Sequence, residues 1–341
     1  MMLLTPADAR LSFWCPQPVD RTRSEARLDR FPVPVTALLG GQIGPLANLR
    51  SSSGCAVLVR TDAPVIELHL DRLRHHQLVP VGVACEVAAE DGTWQAFSSA
   101  DLRELEGRVV VRFATGIEHG AALRTVALWL PLISTCAVVG VALPAGARVE
   151  AEPPPEPRWL AIGDSLTQGF NVQCPTQNWV HRVMRARGLP AWNLGVGGLK
   201  IEPEAVRWAL AARRWQLVTI ALGSNHAWRE ADADEAAARA ATLAELALAG
   251  GHGRVLWLLP PYKPCEDGKG PGDFAGVPLD RSAGIRAGRV REALRATLAG
   301  YPGVEVVDDL GVRDHRYYPD GLHPFAIGFA RYAERVLAAL G

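Results

Sequence analysis

Four short stretches in the second half of the chain carry side chains suited to acyl chemistry. Asp320 and His323 stand three residues apart in Asp-Gly-Leu-His-Pro, within one turn of chain. At that spacing the carboxylate can accept from the ring's Nδ1–H and orient it, leaving Nε2 free to take a proton. Ser165, in Gly-Asp-Ser-Leu, has a hydroxyl that becomes a nucleophile once that proton leaves. Asn225, in Gly-Ser-Asn-His, offers an amide that can donate to an oxyanion. The glycines of Asn193-Leu-Gly-Val-Gly-Gly198 let a backbone N–H come close to a ligand. Singly, each stretch has an ordinary explanation: a helix cap, a turn, a surface loop. The glycine-rich run lacks the Walker lysine and the dinucleotide fingerprint, and Ser165 lacks the second glycine of the α/β-hydrolase elbow.

The elements that must position these groups follow from the apolar pattern. After residue 157 the chain alternates short apolar runs with helical periods. The strands are WLAIG (159–163), AWNLG (191–195), LVTIAL (217–222), RVLWLLP (254–260) and VEVVDD (304–309). Helices are expected over 178–187, from Pro203, after Asp232 and Glu235 (a pair resembling a capping box), over 282–298, and after Pro324. Five strands alternating with helices predict a flavodoxin-like α/β/α sandwich on a five-stranded parallel sheet. Such sheets place their sites at the carboxyl ends of the strands, where all four stretches fall.

Upstream, β-branched runs recur with turn signals and hardly any helical period: 55–61, 65–70, 81–89, 108–114, and two runs between Arg124 and Arg148. They predict an all-β sandwich of jelly-roll type. AEPPPEP (151–157) reads as a stiff linker, dividing the chain into a β-sandwich over 1–151, a linker over 152–157 and a catalytic domain over 158–341.

The four blocks GDSL (163–166), NLGVGG (193–198), GSN (223–225) and DGLHP (320–324), in this order, resemble the SGNH/GDSL hydrolase superfamily. The resemblance covers roughly residues 158–341. It implies Ser165 as nucleophile, Asp320 and His323 completing a triad, and an oxyanion hole of the Ser165 N–H, Gly198 and Asn225. His226 stands where many members carry Asp, which suggests a substrate-facing imidazole. The implied activity is a serine esterase that removes a small acyl group, acetyl, from a carbohydrate or related alcohol, with no metal or organic cofactor. An acyltransferase with the same site and a non-water acceptor is the alternative. A carbohydrate-binding protein on an inactive scaffold is a third reading, disfavoured by the complete residue set.

The remaining features bound these expectations. With 36 basic and 36 acidic residues, the net charge is zero, which argues against nucleic acid or an anionic membrane as partner. The charge-free run between Arg124 and Arg148 is broken by Pro131, Gly140 and Pro144 and reads as two strands rather than a membrane helix. MMLLTPADARLSF has no basic region or apolar core of a signal peptide, so a cytoplasmic location is expected. The six cysteines show no C-x-x-C spacing and read as reduced, buried thiols. Lysines number three, Lys200, Lys263 and Lys269, in a chain whose cations are otherwise arginine. The Gly/Pro-rich segment 260–280 is read as a mobile rim over the site, and Trp228 and Tyr262 as aromatic groups able to stack on a sugar. His75-His76 reads as a solvated turn, His315 as a weaker candidate base, and Asp164 as a brace for the serine loop.

Overall fold

The structure, a computed structural model, describes residues 1–40, 47–75, 82–228 and 232–341. Two compact units emerge, the division falling between Glu156 and Pro157, with Val172–Gln177 grouping with the first unit. Residues 151–157 form no helix or strand.

The first unit is built from antiparallel strands: β1 (Met2–Leu4), β2 (Ser12–Trp14), β3 (Ala56–Thr61), β4 (Val65–His75), β5 (Gly82–Ala88), β6 (Trp94–Asp101), β7 (Gly107–Ala114), β8 (Arg124–Trp129), β9 (Ser134–Leu143) and β10 (Val149–Glu150). One sheet has the order β1-β9-β4-β7; the other runs β10-β3-β8-β5-β6, with β2 also on β3. Leaving out β2 and β10, the orders 1-9-4-7 and 3-8-5-6 are those of a jelly roll. The period of two is clean in β7, where Val109, Val111 and Phe113 are buried and Arg108, Val110 and Arg112 are exposed. Those inward faces meet Ile66, Leu68, Val138 and Val141 of the same sheet and Val57, Val59, Val126 and Leu128 of the other in one core.

Three departures from the sequence reading have physical reasons. β6 escapes the apolar pattern because it is an edge strand exposed along most of its length. α1 (Val33–Gly40) and α2 (Ala47–Arg50) occupy a region read as non-helical; α1 is apolar on all sides and shows no helical stripe. His75 ends β4 rather than lying in a solvated turn, its Nδ1 2.8 Å from Ser134 Oγ and its Nε2 2.8 Å from the Leu102 carbonyl. His76 lies outside the described residues.

The second unit carries β11 (Trp159–Gly163), α3 (Ser165–Gln168), α4 (Trp179–Arg187), β12 (Ala191–Gly195), α5 (Pro203–Ala212), β13 (Leu217–Ala221), α6 (Asp232–Ala249), β14 (Arg254–Leu258), a hairpin β15 (Asp273–Phe274) and β16 (Val277–Pro278), α7 (Arg281–Leu298), β17 (Val304–Val307) and α8 (Ala326–Leu340). The sheet order β12-β11-β13-β14-β17 is parallel throughout, the flavodoxin-like doubly wound arrangement. β11 and β13 are buried at every residue, as strands covered on both faces must be. α4 is set by its ends: Asn178 caps it by accepting from the Val180 N–H, and Gly188 closes it in the left-handed conformation at φ 54°. Asp232 and Glu235 open α6 as expected, and their carboxylates meet Lys200 and Arg239. Among the described residues no helix is long and apolar enough to cross a membrane; the charge-free run forms β8 and β9.

Candidate active site

The site assembles at the carboxyl ends of β11, β12 and β13 and in the loop before α8. β11 delivers Asp164 and Ser165. Asp164 caps the short α3 by accepting from the Leu166 N–H at 3.0 Å, so Ser165 is the first residue of the turn. β12 approaches that turn closely: a Cβ at Gly195 would lie 2.2 Å from the Gln168 nitrogen, so only glycine fits. Asn193 links the two loops, donating from Nδ2 to the Thr167 carbonyl at 2.7 Å and accepting the Gly195 N–H at 2.8 Å. Gln168 Oε1 accepts from the Gly197 N–H, and Gly198 turns the chain at φ 84°.

Ser165, His323 and Asp320 are brought into one hydrogen-bonded line. His323 Nε2 is 2.7 Å from Ser165 Oγ and Nδ1 is 2.7 Å from Asp320 Oδ2. Asp320 Oδ1 accepts from the N–H groups of Leu322 at 2.9 Å and His323 at 2.8 Å, which fixes the loop around the ring. Burial works to raise the Asp320 pKa, but the hydrogen bonds and charge of His323 and the Leu322 N–H outweigh it and hold the carboxyl at about 2. An ionised Asp320 at Nδ1 selects the tautomer whose Nε2 lone pair faces the serine. Ser165 is 9% exposed and His323 4%, so the pair works in a largely desolvated place.

Asn225 lies in a 3₁₀ turn, Ser224–His226, after β13, and donates one Nδ2 hydrogen to the Leu199 carbonyl at 3.0 Å. That bond orients the amide and leaves its second hydrogen for another acceptor. His226 does not face the substrate region: its ring is fully buried, and Nε2 accepts from the Ile201 N–H at 3.0 Å. Together Asn225 and His226 clamp the stretch that follows Gly198. With Nε2 as acceptor, Nδ1 carries the proton and points toward Glu235 Oε2 at 3.7 Å. Ligand atoms of His226, Asp232 and Glu235 lie within 4.8 Å of one another, yet a protonated Nδ1 is no metal ligand, and Lys200 Nζ sits 2.8 Å from Asp232 Oδ2. Burial, and next the charge of Lys200, push the His226 pKa down to about 4.

Of the aromatic candidates, Tyr262 is 7% exposed, and its hydroxyl donates to Asp267 Oδ2 at 2.9 Å, so its ring is a packing group. Trp228 is half-buried, packing against Cys265, Leu279, Ala283 and Leu322 and lining a small pocket with Pro260, Pro261 and Val290. Segment 260–280 is an anchored structure rather than a free rim. Arg291 forks onto Glu266 at 2.8 and 3.1 Å and reaches the Pro260 carbonyl. The hairpin β15–β16 then sets the Phe274 ring edge-on to His323, centroids 5.5 Å apart. His315 is 44% exposed, and its neighbour Asp314 is engaged by Arg316, which leaves it outside the site.

Besides Phe274, three groups escaped the sequence reading. Asn171 Nδ2 lies 3.1 Å from both Asp320 Oδ2 and the His323 carbonyl, holding the loop that carries both side chains. It sits at φ 66°, a conformation asparagine tolerates better than most residues, but nothing in its neighbours marks it. Lys263 is 4% exposed and donates from Nζ to the Leu322 carbonyl at 2.9 Å. Burial lowers its pKa, with the charges of Asp164 and Asp320 pulling the other way; burial likewise raises Asp164, with Lys263 opposing. A lysine in a chain built on arginine was the available signal. Phe170 also lies against His323, ring centroids 5.0 Å apart.

The arrangement can move a proton from Ser165 to His323, and the Asn225 amide can donate its second hydrogen. No curated protein matches the sequence. In fold, the chain is similar to the salicylyl-acyltransferase SsfX3 from a tetracycline biosynthetic pathway, at 20% identity and a TM-score of 0.74, covering 100% of this chain and 97% of that one. It is also similar to a family two carbohydrate esterase from Cellvibrio japonicus (10% identity, TM-score 0.58, 99% and 96% covered). A third likeness is a family two carbohydrate esterase from Clostridium thermocellum in complex with cellohexaose (15% identity, TM-score 0.58, 84% and 92% covered). At these identities the likeness is one of fold. The model of the GDSL-like lipase/acylhydrolase family matches residues 161–331, which spans all four sequence blocks, and the chain therefore belongs to that family.

Proposed function

We propose that the chain is a serine esterase that removes an acetyl group from a carbohydrate or related alcohol through an acyl-enzyme on Ser165. The observation that carries this reading is the line from Ser165 Oγ through His323 to Asp320, with 2.7 Å at each link. In it, His323 Nε2 takes the hydroxyl proton as Ser165 attacks the ester carbonyl. The resulting oxyanion is met by the Ser165 and Gly198 N–H groups and the second Asn225 hydrogen. His323 then gives its proton to the leaving alcohol, and water repeats the sequence to free the acid. The rings of Phe170 and Phe274 on His323 favour a small acyl group. A carbohydrate alcohol is supported by the carbohydrate esterases that share the fold across both units.

The second reading, transfer to a non-water acceptor, is favoured by the full-length likeness in fold to a salicylyl-acyltransferase. Hydrolysis of p-nitrophenyl acetate and of acetylated sugars by wild type and Ser165→Ala tests the first. Equal rates in the two proteins would sink it. Repeating the reaction with acceptor alcohols present separates the readings: free acetate as sole product supports the esterase, and a new ester supports the transferase.

A further inference from the structure

We propose that Cys15 and Cys55 are an oxidisable pair, a modification site at which a peroxide closes a cross-strand disulfide. β2 and β3 run antiparallel with Trp14 opposite Ala56, so the next pair along the ladder is Cys15 and Cys55. Opposed residues on neighbouring strands have Cα atoms about 4.5–5.5 Å apart, within the roughly 4.4–6.8 Å that a disulfide spans. The two sulfurs are 3.8 Å apart, and side-chain rotation is enough to bring them to a bond of about 2.05 Å. Both are free thiols in this structure.

Their surroundings divide the labour. Cys15 is partly exposed, its thiol donating to the Asp29 carbonyl at 2.9 Å, whereas Cys55 is fully buried. The buried Arg30 guanidinium interacts electrostatically with both sulfurs. Burial pushes the Cys55 thiol well up, so Cys15 is the attacking sulfur and Cys55 the resolving one.

The step balances with peroxide as oxidant. The Cys15 thiolate attacks one peroxide oxygen and becomes a sulfenic acid, and the departing hydroxide takes up a proton as water. Cys55 then attacks the Cys15 sulfur, its proton leaving with the sulfenic oxygen as a second water. Two thiols are oxidised by two electrons and one peroxide is reduced. The bond would close a loop that contains α1 and α2, restricting the unfolded chain. Cys85 and Cys136 serve as internal controls, because burial raises both thiols to about 12.

The test is peptide mapping of the full chain after hydrogen peroxide, without reductant. The expected result is a Cys15–Cys55 linked peptide, a mass loss of about 2 Da per chain, and two fewer alkylatable thiols, all reversed by dithiothreitol. Cys55→Ser should instead accumulate a sulfenic acid on Cys15, trapped by dimedone. Free thiols at both positions after treatment, over-oxidation of Cys15 without linkage, or a bond to another cysteine would each overturn the proposal. The outcome does not depend on the acyl-transfer reading.

Discussion

Arg30 in the first unit and Lys263 in the second are both buried cations that donate to backbone carbonyls, and they do different things. Arg30 reaches the Ser51 carbonyl at 2.8 Å, the Asn48 carbonyl at 2.7 Å and Ser51 Oγ at 3.1 Å, while Ser51 in turn meets Ser53. Those partners lie in α2 and the turn after it, where Ser51 Oγ also donates to the Asn48 carbonyl at 3.0 Å, so the cation holds a shape. Lys263 reaches the carbonyl of Leu322, the residue before His323, in the field of Asp164 and Asp320. Its partners lead to His323 and Ser165, the proposed base and nucleophile. A buried charge is costly in both places. What differs is whether the network ends on itself or on the line from His323 to Ser165.

Substitutions can break this contrast, and the largest effect is expected within the reactive line. Asp320→Asn keeps the shape but loses the charge that selects the His323 tautomer, so kcat should fall by about 10⁴ with a Tm close to wild type. Steady-state kinetics and a thermal melt decide it. Asn225→Ala removes one oxyanion donor and should lower kcat by about 10²–10³, or 3–4 kcal/mol, with little change in KM. Arg30→Met should do the opposite. It removes the Arg30 donor from the carbonyls of Asn48 and Ser51, costing about 2–4 kcal/mol in urea unfolding while kcat stays near wild type. Lys263→Met should slow turnover roughly tenfold, on the order of 1.4 kcal/mol, by loosening the Leu322 carbonyl. Equal stability losses in the two cation variants, with unchanged turnover in both, would remove the distinction.

A further effect is one of pH. His226 is held near 4 against an unfolded value of about 6.5, so the folded chain resists protonating it. Lys200 and Arg239 oppose its charge, and Asp232 and Glu235 favour it. Its contribution to stability is complete above pH 6.5 and is lost as pH falls from about 6.5 through 4. Melting temperatures across that range should drop less steeply in His226→Asn than in wild type.

These groups differ in how legible they were. Ser165, Asp320, His323, Asn225 and the glycine loop stand in short blocks at strand ends, where local spacing already implies chemistry, and the five parallel strands announced themselves as apolar runs. Asn171, Lys263 and Phe274 meet His323 or its loop only because separate segments converge, and no local pattern encodes that. His226 shows the reverse error. A ring beside Asn225 reads as substrate-facing in one dimension, but the Ile201 N–H turns it into the interior. Tyr262 misled for a similar reason, since Asp267 five residues on takes its hydroxyl.

The most direct test of the central claim is to trap the acyl-enzyme. Wild type is mixed with p-nitrophenyl acetate, quenched in acid within milliseconds, digested and analysed by mass spectrometry. The peptide containing Ser165 should gain about 42 Da, with the adduct rising during the burst and absent from Ser165→Ala. Turnover of the ester with no adduct on that peptide, or an adduct on another residue at the same rate, would contradict the account.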